Sequence, residues 1–251
     1  MKGHYVLFAM AMVVSLLANP FTSLDTRAWA ADSQESASNI HIMTKHLSYR
    51  EKDQGSSPDE MPKREYDISY PIVSYQGHPA IEEKINSLIL STYERFELNF
   101  RRIDQSTWDG LVQGNFKILY QTPRILGIRI GTYVIKMTAA HGGDSVTVYN
   151  IDLTNGQNLL FKDIARSSQR KGLDKLVVKK LKTLEQAKCI FFDSPIKVKD
   201  DQGYYLKDGD FVVVFPKYEI AAGACGVIEL PIPVEEMKPF LNPESPFYSL
   251  L

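Results

Sequence analysis

Apolar and polar residues alternate with a period of two along much of the chain, and two stretches have a period near 3.6 instead. Residues 65–75 alternate as a strand. Pro71 lies within that run and donates no ladder hydrogen bond, so it predicts an edge strand or a bend. After Pro79, apolar residues recur every three or four positions, which predicts a first helix to about Phe100. A second apolar stripe predicts another helix over about residues 168–188.

The middle of the chain is predicted to be a meander of antiparallel strands. Residues 125–138 are rich in β-branched residues, and neither parity is purely polar, which is typical of a central strand. A His-Gly-Gly turn at 141–143 leads into an alternating strand over 145–153. Asn155-Gly156 then predicts a hairpin turn, since both residue types tolerate the positive φ values that such a turn needs.

Further strands are predicted on both sides of this meander. An early strand is expected over 40–49, and a late pair, 203–206 and 211–215, is joined by a turn that carries Asp-Gly. Residues 227–233 form a last strand, and a short helical turn follows over 234–240. The hairpins with interspersed helices predict an α+β fold, with two main helices packed against antiparallel sheets.

The first thirty residues have the pattern of a signal peptide. Lys2 supplies a short positive start, an apolar run extends from Tyr5 to Ala18, and small residues stand at Ala28 and Ala30. Cleavage after about Ala30 predicts a secreted or extracytoplasmic protein of the cell envelope, and an uncleaved anchor is the alternative. No later segment is apolar enough to span a membrane, so no membrane span is expected after cleavage.

Composition and charge narrow the class of protein. The chain has 251 residues, of which 44% are hydrophobic and 24% charged, and this is ordinary for a globular protein. Its formal net charge of −1 offers no basic field, so nucleic acid is not an expected partner. Cys189 and Cys225 are the only cysteines, and in an oxidising compartment they predict one disulfide, with two buried thiols as the alternative.

His141 is the most conspicuous candidate for chemistry, since a histidine on a glycine-rich turn can be a general base or a metal ligand. A zinc site needs three or four ligands, and the histidines form no HxH or HExxH arrangement. Neither a metal nor a cofactor is therefore predicted. The alternative for His141 is a side chain held by backbone at a tight turn.

Other catalytic patterns are weak. There is no GxSxG motif for a serine nucleophile, no glycine-rich phosphate loop, and Cys225 has no basic neighbour that would favour a thiolate. Adjacent carboxylates such as Glu82-Glu83 are typical of solvated turns, and no catalytic residue is assigned. The 13 tyrosines suit either a binding surface or sheet packing. Tyr149, Tyr218 and Glu219 join His141 as candidate functional residues.

Several short segments, taken in order, resemble a pair of bacterial extracytoplasmic domains. Residues 66–89, YDISYPIVSYQGHPAIEEKINSLI, are similar to the N-terminal domain of PdaC-type peptidoglycan deacetylases. Later segments resemble the domain of unknown function that usually follows it, a pair that also forms the outer region of the anti-sigma factor RsiV, a lysozyme sensor. These later segments are residues 139–142, 149–156, 159–164 and 215–220, with Gly226 and Ile232-Pro233.

The resemblance implies an α+β fold, and together with the signal-peptide pattern it divides the chain into four regions. These are a signal peptide at 1–30, a flexible segment with a first strand at 31–64, a PdaC-N-terminal-like subdomain at 65–122 and an RsiV-C-terminal-like subdomain at 123–251. No long segment precedes the apolar run and no deacetylase domain follows Leu251, so neither sigma-factor binding nor deacetylation is expected. We predict a secreted, non-catalytic binding module for a cell-wall glycan or peptide, or for an extracellular protein such as lysozyme. The alternative is a small extracellular hydrolase with its site near His141.

Overall fold

The computed structural model describes residues 39–51, 64–103, 110–136, 139 and 141–251; residues 64 and 94–103 are described by their backbone only. The predicted signal peptide, its cleavage site and most of the predicted segment 31–64 lie outside these residues. Among the described helices, none has the length and apolar character needed to cross a membrane.

A six-stranded sheet forms the larger part of the fold, with its strands in the same order as in the chain. Neighbouring strands are antiparallel except for the second and third, which are parallel over residues 64–68 and 110–114. The strands are β1 (Ile40–Glu51), β2 (Arg64–Tyr75), β3 (Gly110–Gln121), β4 (Ile125–Lys136), β5 (Gly143–Asp152) and β6 (Gln157–Asn158).

The long helix α1 (Pro79–Ile103) connects the two parallel strands, as parallel pairing requires a crossover. Its apolar stripe follows the predicted spacing: Ile85 and Ile89 are fully buried. They pack against Ile128 and Ile130 of β4, which lie on one face of the sheet because alternate residues of a strand share a face. This face and α1 form the first core.

A second, three-stranded antiparallel sheet lies after the meander and carries its own core. Tyr204, Phe211 and Phe247 are fully buried there, and their rings stack or meet edge to face. The strands of this sheet are β7 (Gly203–Lys207), β8 (Asp210–Phe215) and β9 (Ile228–Pro233). The accompanying helices are α2 (Phe161–Ile164), α3 (Arg170–Leu181) and α4 (Val234–Met237), with 3-10 turns at Ser167–Gln169, Glu185–Cys189, Gly223–Cys225, Lys238–Phe240 and Pro246–Leu250.

The two sheets meet on the side of β4 and β5 that faces away from α1. Val148 of β5 packs with Tyr205, Val212 and Val214 in a small third cluster. The buried side chain of Asn150 donates a hydrogen bond from Nδ2 to the carbonyl of Tyr204 at 2.8 Å. The second sheet therefore covers only part of this face, and the remainder is open for the site described below.

The predicted α+β class is confirmed, and the differences are local. The second helix, α3, ends at Leu181 and not near residue 188, because the chain turns extended at Leu184 (ψ 150°) and then forms a 3-10 turn that leads to the bridge between Ile190 and Ala221. The segment predicted to lead into that helix, FKDI, is itself the separate helix α2.

Three smaller predictions are refined. Ile68 is the last β2 residue that pairs with β3. At Pro71, three residues later, β2 is paired with β1 alone among the described strands, so the proline lies at a local edge of the sheet. In the turn at 153–156 only Gly156 has a positive φ, 74°, and its N–H and that of Asn155 both bond to the carbonyl of Asp152. The division into subdomains at residue 122 stays a prediction; β3 and β4, on its two sides, are paired.

Candidate functional site

His141 lies on the turn before β5 and lines a pocket of about 480 Å³. Its side chain is solvent-exposed, and Nδ1 lies 3.2 Å from the carbonyl oxygen of Gly142. One ring nitrogen is thus engaged by the adjacent backbone, which is part of what the structural alternative for His141 predicted. The pocket is lined by Tyr133, His141, Gly142, Asp144, Lys217, Tyr218, Gly223, Ala224 and Gly226.

An ion pair between Lys217 and Asp144 forms the base of the pocket. The Lys217 Nζ atom donates to Asp144 Oδ1 at 2.9 Å and to the carbonyl of Gly142 at 3.0 Å. The lysine side chain is only 11% exposed. Its hydrogen bond holds the pKa of the Asp144 carboxyl below its usual value, against the opposing effect of burial, and raises the pKa of Lys217. Both groups therefore stay charged near neutral pH.

Tyr218 projects from the segment after β8 at the rim of the pocket. Its backbone has φ 70°, a left-handed conformation that costs a non-glycine residue about 1–2 kcal/mol. Its side chain is nevertheless 60% exposed, so burial of the ring does not offset this cost. The ring lies over Gly223, where an added Cβ would come within 2.1 Å of it. Strain that holds an exposed aromatic ring in place is a feature of functional sites.

Tyr133 of β4 lines the same pocket and is arranged in a similar way. An added Cβ at Gly142 would lie 2.3 Å from its ring, so this glycine lets the backbone pass directly against the aromatic face. Tyr133 pairs with Asp144 in the register of β4 and β5, which places the two side chains on the same face of the sheet. Two tyrosines, each backed by a glycine, therefore frame the pocket.

A disulfide holds the small-residue loop that completes the pocket. Cys189 and Cys225 are bonded, with Cα atoms 6.4 Å apart, which confirms the predicted pairing. The backbone bridge between Ile190 and Ala221 holds the same segment. Gly226, with φ 67°, follows the disulfide, and a Cβ there would lie 3.3 Å from Asp144 Oδ2. The loop is thereby positioned against the ion pair.

The chemical groups that line the pocket define what it can bind or react with. No serine, threonine or free cysteine is found among the described residues that line the pocket, and Cys225 is in the disulfide. The Lys217 ammonium is hydrogen-bonded on the protein side, so it is not a free nucleophile. Among the described residues, no group of three or more His, Cys, Asp or Glu side chains could hold a metal ion. The pocket offers aromatic surface, backbone, one exposed imidazole and the partly exposed Asp144 carboxylate.

The other two predicted site residues lie elsewhere. Tyr149 is buried in the core beside α1, where its hydroxyl contacts the Thr92 hydroxyl and donates to the carbonyl of Leu88 at 3.3 Å. Glu219 follows Tyr218, but its side chain is 12% exposed and Oε2 pairs with Lys199 Nζ at 3.3 Å. Its Oε1 is buried and has no hydrogen-bond partner among the residues that the structure describes. Neither residue lines the His141 pocket.

Sequence reasoning missed Tyr133, Asp144 and Lys217. A signal existed for Tyr133, because it shares a parity with Arg129 and Gly131 on a strand whose faces are both mixed. The signal for Lys217 was weaker: it precedes Tyr218 within residues 215–220, one of the segments that resemble the domain of unknown function. Nothing local could show that Lys217 meets Asp144, which lies 73 residues earlier.

Comparisons with known proteins agree on the fold. Residues 159–235 match the family model described as a protein of unknown function (DUF3298). No curated protein matches this chain. A solved member of the DUF3298 family from Bacteroides fragilis NCTC 9343 is 16% identical with a TM-score of 0.59, over 81% of this chain and 94% of that one. A DUF3298 family protein from Pseudomonas aeruginosa PAO1 is also 16% identical, with a TM-score of 0.55, over 81% and 95%.

These comparisons support the predicted domain of unknown function. They do not test the resemblance to PdaC and RsiV, which stays a prediction. The descriptions of the matched family and structures assign no ligand and no reaction. This chain shares its α+β fold with solved DUF3298 proteins and carries a DUF3298 match over residues 159–235.

Proposed function

We propose that this chain is an extracytoplasmic, non-catalytic binding module, and that the pocket between Tyr133 and Tyr218 binds a sugar of the cell wall. The observation that carries the proposal is the exposed ring of Tyr218, held over Gly223 by a left-handed backbone conformation. Location outside the cytoplasm is supported by the signal-peptide pattern and by the disulfide.

A sugar suits this pocket for a chemical reason. Tyrosine presents a rigid apolar face with a polar hydroxyl at its edge, and the two faces of a sugar ring carry C–H groups that pack on such a surface. Hydroxyl and acetamido groups around the ring can bond to the exposed imidazole and to the Asp144 carboxylate, which accepts more than one hydrogen bond. A few placed polar groups on a mainly apolar or backbone-lined pocket are usual for small-molecule sites.

The test is binding of the N-acetylglucosamine disaccharide, followed by calorimetry or by NMR. We expect saturable binding that Tyr218→Ala weakens at least fivefold, because one of the two aromatic faces of the pocket is lost. Tyr49→Ala is the matched control: Tyr49 is an exposed tyrosine on β1, 45% accessible, and should leave the affinity unchanged. Binding that survives Tyr218→Ala would contradict this site.

An extracellular protein is the competing kind of partner and belongs in the same experiment. Lysozyme is the probe, because RsiV, whose outer region this chain resembles in sequence, senses lysozyme. Lysozyme binding that is lost in Tyr218→Ala, together with no binding of the disaccharide, would replace the sugar with a protein as the ligand. Binding of neither probe would contradict the proposal.

A hydrolase remains a second candidate because His141 and Asp144 line one pocket, as that hypothesis predicted. It requires turnover of a glycan or ester substrate that disappears in His141→Ala. The binding proposal expects no turnover, and it expects His141→Ala to change the affinity alone. Measuring product release and affinity on the same samples separates the two.

A further inference from the structure

The His141 pocket continues into two further cavities on the open face of the six-stranded sheet. A cavity of about 420 Å³ shares Tyr133, Asp144 and Gly226 with the pocket. A third, of about 740 Å³, shares Arg129 and Glu229 with the second. Shared lining residues place the three cavities next to one another along the sheet, and together we call them the sheet-face groove.

Strands β3 and β4 form the floor of the sheet-face groove. Gln113, Asn115 and Lys117 of β3 lie opposite Tyr133, Gly131 and Arg129 of β4 in the pairing register, and the groove is lined by all six. Paired residues share a face of the sheet, so these side chains line one surface.

At the centre of the floor, Gly131 has no side chain that would fill the groove. An added Cβ would lie 2.8 Å from Asn115 Oδ1, so the amide of Asn115 extends into the space that a side chain at residue 131 would need. Planar amide groups with both donors and acceptors suit hydroxyl and acetamido partners.

The charges of the groove balance. Four basic residues line it, Lys117, Arg129, Lys207 and Lys217, and four acidic ones, Asp144, Asp208, Glu229 and Glu235.

Two ion pairs form among these lining residues. Arg129 contacts Glu229 Oε1 through NH2 at 2.9 Å and Nε at 3.0 Å, and Lys217 contacts Asp144. Burial, together with the Glu229 carboxylate, raises the pKa of the adjacent Tyr205 to about 12, so its hydroxyl stays neutral. A groove whose charged side chains balance favours an uncharged ligand over a polyanion.

We infer that the sheet-face groove binds a linear, uncharged polysaccharide, with one sugar in the His141 pocket and further sugars along β3 and β4. The inference rests on the proposed function and extends it. A rise of about 3.3 Å per residue separates Arg129 from Tyr133 by about 13 Å along β4, which is longer than a single sugar ring. An extended peptide could not add as a strand to β4, because both edges of β4 are already paired, with β3 and β5.

The experiment compares the dimer and the hexamer of N-acetylglucosamine by calorimetry on the full chain. We expect the hexamer to bind at least tenfold more tightly than the dimer. Gly131→Val should remove this gain and weaken the dimer much less, because the dimer extends only one sugar beyond the His141 pocket whereas valine fills the centre of the groove floor and suits a strand. Gly143→Val is the matched control, since its Cβ would approach only the Val134 carbonyl, at 4.0 Å, and Gly143 does not line the groove.

A second variant covers the case in which Gly131→Val impairs folding. Gln113→Ala with Asn115→Ala shortens two groove side chains without adding volume, and it should reduce the hexamer gain at least threefold. Equal affinities for dimer and hexamer would overturn the groove and leave the sugar pocket standing. No binding of the dimer would contradict the proposed function itself, and tighter binding of a sulfated polysaccharide than of the hexamer would overturn the uncharged class.

Discussion

The ring of Tyr218 lies directly against Gly223, so that a Cβ at residue 223 would come within 2.1 Å of the aromatic carbon Cε1. This contact joins the segment after β8 to the loop that the Cys189–Cys225 disulfide holds. Tyr218 has a left-handed backbone, and its side chain is mostly exposed. The strained backbone of Tyr218 therefore holds an exposed aromatic ring in a fixed position at the rim of the pocket.

Replacing Tyr218 with glycine is expected to stabilise the fold while it impairs binding. Glycine adopts φ near 70° without steric cost, so relief of the strain should raise the free energy of unfolding by up to about 1 kcal/mol, after the entropy lost by glycine on folding is subtracted. Denaturant unfolding measures the change, with Tyr218→Ala as the control that keeps the strain. A loss of stability in the glycine variant would show that the ring, despite its exposure, stabilises the fold.

The Lys217–Asp144 ion pair should make stability depend on pH at both extremes. The pKa of Asp144 is lowered in the fold, so its contribution is present above about pH 4 and is lost as the pH falls through the folded pKa. The pKa of Lys217 is raised, so its contribution is present below about pH 10 and is lost as the pH rises through the folded value.

Asp144→Asn isolates the acidic half of this dependence. At pH 7 it should lower the free energy of unfolding by about 1 kcal/mol, because a charged hydrogen bond is lost at a partly exposed site. Below pH 4 the difference from the unaltered protein should shrink towards zero. Chemical denaturation between about pH 2.5 and about pH 7 tests this. A constant difference across this range would show that the ionisation of Asp144 does not contribute to stability.

Removal of the disulfide should loosen the pocket and lower stability. Cys189 and Cys225 are 36 residues apart, and closing a loop of that length is worth about 4 kcal/mol in the chain-entropy model. In the double variant Cys189→Ser and Cys225→Ser we expect a decrease of that order in the free energy of unfolding. Sugar affinity should also weaken, because Gly223, Ala224 and Gly226 line the pocket. Unchanged affinity would indicate that the Ile190–Ala221 bridge alone holds the loop.

Tyr149 is expected to be a structural residue. Tyr149→Phe removes the hydroxyl that contacts Thr92 and Leu88 in the core, and leaving those buried groups without this partner should cost about 1–2 kcal/mol of stability. Sugar affinity should not change, because Tyr149 does not line the groove. Thermal unfolding and calorimetry on the same sample check both parts; weaker binding without a loss of stability would restore Tyr149 as a candidate binding residue.

Local patterns accounted for much of the fold. The parity of residues 125–138 indicated a central strand, and that parity also grouped Arg129, Gly131 and Tyr133, which lie along one groove. The apolar spacing after Pro79 predicted α1. These patterns predict secondary structure because helical and extended backbones repeat with fixed periods, and buried positions at those periods are occupied by apolar residues. The end of α3 was missed because the bridge at Ile190 is a long-range contact.

The α+β class, the meander, the candidate disulfide and the choice of His141 as a candidate site residue could all be predicted from local patterns in the chain. The shared pocket of His141, Asp144, Lys217 and Tyr218 and the burial of Tyr149 in the core could not. Residues separated by more than 70 positions meet there only because the second sheet packs on part of the first. The same partial coverage leaves the sheet-face groove open, and no local period records it.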